Sequence, residues 1–183
     1  MPTPENQDVS TLQPPLGDVF TPVFYSAIQI ANHFIERGIN ENIKITLIHL
    51  LKLTYISHGV HLALRDSEGL FTEQVEAWKY GPVIPSVFFA FRHHVTFNHA
   101  TFNITIPESP DRYESIEDAE DINILDLIWG KYAACTGPQL IEVTHQKGTP
   151  WHDIWYKEDG QYRRSVVIPN EKIKAYYREM LLD

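Results

Sequence analysis

The chain has 183 residues, with 15 Lys+Arg against 24 Asp+Glu, a net charge of −9 and a pI near 5.4. A chain this long buries roughly 70% of its unfolded surface, enough for one core. The acidic excess works against a phosphate-tracking nucleic-acid surface, and a single cysteine, Cys135, excludes an intrachain disulfide or a thiolate-rich zinc site and fits a reducing cytoplasm.

Residues 1–20 are polar and carry Pro2, Pro4, Pro14 and Pro15, which predicts a flexible arm without a secretory signal; the folded domain is expected over 21–183. Thr21-Pro22 offers an N-cap and a first-turn proline. Phe24, Ala27, Ile28, Ala31, Phe34 and Ile35 then line one face of a helix that Gly38 can end. Thr46 opens a helix of roughly 19 residues, or about 28 Å, that is apolar nearly all round and so is expected at the centre of the fold. Its Lys52, His49, His58 and His61 argue against a membrane span.

Residues 70–80 read as a short extended piece ending at Gly81-Pro82, and Pro85 starts a helix expected to run to about Phe97. Residues 99–106 suit a strand or hairpin, and 107–120 an acidic loop. Further helices are predicted over 121–134, from Thr136-Gly137-Pro138 to about Gln146, and over 171–182 with Ile173, Tyr176, Tyr177 and Met180 inward. The fold class is therefore mainly α, packed around a buried central helix, with a small β-hairpin or short strands.

Local chemistry is sparse. No phosphate-binding glycine loop, Walker motif or nucleophile elbow is present, so no cofactor and no catalytic residue is assigned. His58 and His61, three apart on one helix face, could begin a metal site, and with His145 they define the alternative of a metal-dependent hydrolase. Cys135 and His145 make a skeletal nucleophile pair, but a helix separates them. Seven acidic residues between Glu108 and Asp121 form a candidate surface for steering a basic partner. The densest aromatic, glycine and proline clusters are 78–82 and 149–152, whose Trp78, Tyr80, Gly81, Pro82 and Trp151 are core lids or partner anchors.

Three stretches carry a resemblance. Leu50-Leu51-Lys52-Leu53-Thr54-Tyr55 through Gly59-Val60-His61-Leu62-Ala63-Leu64, then Glu76-Ala77-Trp78-Lys79-Tyr80-Gly81-Pro82-Val83-Ile84-Pro85-Ser86, and finally 140–145 with Pro150-Trp151, resemble the SocA-like, or Panacea, antitoxin domain over about 21–182. Val60 stands where the family often has tryptophan, and Lys147 where an acidic residue is common. The resemblance implies a mainly helical, phage-associated antitoxin that neutralises a protein toxin by direct binding, in some members as an adaptor to a AAA+ protease. A scaffold role as a phage accessory protein is the remaining alternative. The toxin-binding or motif candidates it leaves are Trp78, Tyr80, Gly81, Pro82, His145 and Trp151.

Overall fold

The computed structural model describes residues 25–65, 69–98, 101–104 and 115–182, and of residues 94–98 and 101–104 the backbone alone. Helix α1 (Ala27–Asn40) is started by Ser26; Thr21-Pro22, Phe24 and the arm expected over 1–20 lie outside the described residues. Ser26 Oγ accepts from Gln29 N at 3.1 Å and Gln29 Oε1 accepts from Ser26 N, a reciprocal cap that satisfies two orphan donors. Gly38 does not end this helix. It lies inside it, where a Cβ would collide with Ile45 and the Ile43 carbonyl, and the chain turns at Asn42 with φ +55°.

Helix α2 (Leu47–Arg65) is the predicted central element: 15 of its 19 residues are buried, and α1, four later helices and a short strand surround it. Gly59 lets the ring of Tyr177 on α7 (Asn170–Leu182) press against the α2 backbone. Gly59→Ala would put a methyl group into that ring. It is expected to cost about 2–3 kcal/mol by overpacking, read as a lowered midpoint in urea denaturation.

The extended piece does not end at Gly81-Pro82 but doubles back. Strands β1 (Glu76–Trp78) and β2 (Gly81–Val83) pair antiparallel with Trp78 opposite Gly81 and Glu76 opposite Val83. A fifth strand, β5 (Val166–Val167), adds to the other side of β1, giving the order β2-β1-β5. Pro82 is accommodated because β2 is an edge. Helix α3 (Pro85–Phe91) starts at its proline as expected but stops well before Phe97, passing through a 3₁₀ turn (Arg92–His94) into β3 (Val95–Asn98). The β-branched pair Val95-Thr96 belongs to the hairpin with β4 (Thr101–Ile104).

Helices α4 (Ala119–Tyr132) and α5 (Gly137–His145) follow, the latter capped by a reciprocal Thr136–Gln139 pair. The short α6 (Pro150–His152) widens into a π turn over Asp153–Lys157 before β5 and α7. In α7, Ile173 and Tyr177 are buried, and Tyr176 and Met180 pack against the core, as the periodicity predicts.

Candidate functional site

The site is built outward from Lys52. Amid the core positions of α2 its side chain is 0% exposed, and among the described residues it makes no ion pair. Its Nζ instead donates to the carbonyls of Tyr80 at 2.6 Å and Pro82 at 3.0 Å, which caps the outer edge of β2. Burial pulls the amine down to a pKa of about 7. In either protonation state the amine has at least two N–H donors, and the two carbonyls receive two of them. Gly81, between those carbonyls, has φ +103°, and a Cβ there would overlap Lys52 Nζ, so the turn requires glycine.

The other half of the site comes from the end of α5. His145 stacks on Trp151 with centroids 3.6 Å apart and planes 12° apart, and Trp151 Nε1 donates to the Trp78 carbonyl at 2.8 Å. Thr149 fixes this geometry: its Oγ1 donates to the Thr144 carbonyl at 3.0 Å and accepts from His152 N at 3.2 Å. Burial first, and the nearby Lys52 charge second, push His145 down to about 4, which keeps the ring neutral against the indole. The structure thus brings together Trp78, Tyr80, Gly81, Pro82, His145 and Trp151. Lys52, which holds them, was not among the candidates read from the sequence.

Gly81, Pro82 and Trp151 are buried in this node; Tyr80 is 59% exposed. Trp78 is half-buried, with Nε1 donating to Glu76 at 2.7 Å and its ring edge-on to Phe88 at 5.0 Å. Phe88 in turn meets Phe89, which is 51% exposed. On the Trp151 side, Trp155 stacks at 5.5 Å and Tyr156, 53% exposed, stands edge-on at 5.9 Å. Two runs of rings therefore lead from the buried node to the surface, Trp78–Phe88–Phe89 and His145–Trp151–Tyr156, joined at the node by the Trp151 Nε1 bond to the Trp78 carbonyl, and Tyr80 is exposed on the turn beside them.

The other sequence candidates go elsewhere. His58 stacks on Phe71 at 4.1 Å and its Nε2 pairs with Asn170 Oδ1 at 3.1 Å, whereas His61 Nε2 pairs with Asp121 Oδ1 at 3.1 Å. His145 belongs to the Trp151 node, so the three imidazoles of the hydrolase alternative take separate partners. Among the described residues no three His, Cys, Asp or Glu side chains gather as a metal site. Cys135 is half-buried, just ahead of the α5 cap, and His145 ends that nine-residue helix, about 13 Å on. Of the acidic tract, Asp118 caps α4, and Asp118, Glu120 and Asp121 all pair with Arg65. Glu108, Asp111 and Glu114 lie outside the described residues.

The family model for the antitoxin SocA-like, Panacea domain matches residues 50–152, more than half of the chain. The chain belongs to this family. The matched span contains the whole Panacea node, from Lys52 on α2 through residues 78–82 to His145 and Trp151. Antitoxin SocA of Caulobacter vibrioides (strain NA1000 / CB15N) is 32% identical over 173 residues, which covers 90% of this chain and 88% of that protein. No solved structure matches. Membership gives this Panacea domain an antitoxin role. Among its described residues no helix is long and apolar enough to cross a membrane.

Proposed function

We propose that the chain neutralises a cognate protein toxin by direct binding in the cytoplasm, and that the aromatic face around Tyr80 makes the contact. The observation that supports this most is that the node spends buried groups on holding an exposed ring: Lys52 fixes the Tyr80 carbonyl and Trp151 fixes the Trp78 carbonyl. Tyrosine and tryptophan on a rigid turn are the side chains that interfaces use as anchors, because they cover much area with few rotamers. Covering a toxin's active site requires complementarity and no chemistry of the antitoxin's own, so the reading assigns no catalytic residue.

Co-expression with the product of the adjacent gene tests the reading. That product is expected to arrest growth alone and to be harmless with this chain. Tyr80→Ala keeps the backbone carbonyl that Lys52 uses, so stability is expected to change by no more than about 0.5 kcal/mol. Toxin affinity is expected to fall about 30-fold or more, as for a central interface anchor. Full neutralisation by Tyr80→Ala would show that this face is not the contact.

A further inference from the structure

We infer that the aromatic face takes an acidic patch of the toxin, with toxin carboxylates meeting Lys79 and Arg92; this rests on the reading of that face as the toxin contact. The total charge of −9 suggests the opposite, a basic partner, but the charge is unevenly distributed. Nine of the 24 acidic residues and only one of the 15 basic ones lie outside the described residues, which leaves 15 acidic against 14 basic in the described part. There, many of the carboxylates are already matched. Arg37 pairs with Glu41 and Asp126, Arg65 with Asp118, Glu120 and Asp121, Lys157 with Asp153, and Lys172 with Glu158.

Lys79 and Arg92 are two of the basic side chains outside these pairs, and they stand beside the proposed contact. Both are exposed, and neither has an ion pair among the described residues. Each lies over a ring of the proposed contact instead: Lys79 Nζ is 5.5 Å from the Tyr80 centroid, and the Arg92 guanidinium is 4.7 Å from that of Phe89. Glu76, the carboxylate of the hairpin that carries Lys79, is engaged by Trp78 Nε1. A cation over a ring face keeps its outward N–H groups for a partner; Arg92 Nε donates to His93 Nε2 at 3.0 Å, and its two terminal nitrogens are the pair it can offer to a carboxylate. A basic toxin surface would meet like charge beside both exposed rings, which costs affinity and slows encounter.

The test uses the full chain and the purified product of the adjacent gene, with association followed by stopped flow as NaCl is raised. The wild-type association rate is expected to fall with salt. Lys79→Glu with Arg92→Glu is expected to lower it about tenfold and to flatten the salt dependence. Zero-length carbodiimide coupling of the complex is expected to join Lys79 to a toxin Asp or Glu. If the double reversal leaves rate and salt dependence unchanged while Tyr80→Ala loses binding, the acidic patch is wrong and the contact face stands. If Tyr80→Ala binds normally, the contact face itself is wrong. A single-stranded oligonucleotide of about 20 nucleotides is expected not to bind; binding as tight as the toxin's, lost on double reversal, would make nucleic acid the occupant and overturn the inference.

Discussion

Lys52→Ala is expected to lower the free energy of unfolding by about 3–5 kcal/mol and to abolish toxin neutralisation with it. The alanine leaves a cavity where a four-methylene stem packed in the core, and it strips the Tyr80 and Pro82 carbonyls of their donor. Lys52→Met separates the two effects: it keeps most of the volume and removes only the donor, so about 2 kcal/mol is expected from the orphaned carbonyls. Urea denaturation near pH 10, where most of the cost of neutralising the buried lysine is gone, measures both. The pH dependence supplies a second signature. The unfolded lysine holds its proton to about 10.5 and the folded one only to about 7, so between those values the unfolded state binds more protons. Stability therefore rises with pH from about 7 upward, until near pH 10 the buried Tyr55 and Tyr177, whose pKa values burial raises, act in the opposite sense. Lys52→Met is expected to remove the rise. A Lys52→Ala variant as stable as the parent would show that the amine does not hold the turn.

How legible this node was depends on the range of its contacts. Helix α2 is apparent from composition, because a helix apolar on every side must be central. The starts of α3 and α5 are apparent because Pro85, and Thr136 with Gln139, act within one turn of themselves. The 78–82 cluster stands out for the same reason. What binds it does not: Trp151 Nε1 reaches across 73 residues and Lys52 Nζ across 28 and 30. A signal for Lys52 was nonetheless present. A lone cation amid core positions of an all-round apolar helix needs buried acceptors, and no acidic residue lies one turn away on α2 to supply them. His58 and His61 illustrate the reverse error, since shared helix spacing suggested a common ligand while Asn170 and Asp121 draw them to different elements. Strand β5 escaped notice because two residues, Val166 and Val167, carry no period.

Acidification is expected to unfold the domain steeply between about pH 6.5 and 4, with His58 the largest single source. Burial holds its pKa at about 4 against 6.5 when unfolded, so in that window the unfolded chain takes up a proton that the folded chain refuses. The resulting stability is complete above about 6.5 and is lost as pH falls to about 4, roughly 3 kcal/mol for a group this buried. His61 acts in the same direction, held down to about 4 by burial and then by Arg65. Its partner Asp121, raised by burial and by the Asp118 charge, takes up its proton more readily when folded and offsets part of that loss. His145 is half-exposed, and its share is correspondingly reduced by solvent screening. His58→Gln is therefore expected to flatten the decline in urea midpoint between pH 6.5 and 4 by close to one proton's worth, whatever it costs at neutral pH; parallel slopes would place the proton uptake elsewhere. Because His58 ties α2 to the start of α7 through Asn170, and the same α2 carries Lys52, protonation attacks the element that holds the Tyr80 turn. Loss of toxin binding is thus expected to follow the unfolding curve itself, with no separate transition at milder pH.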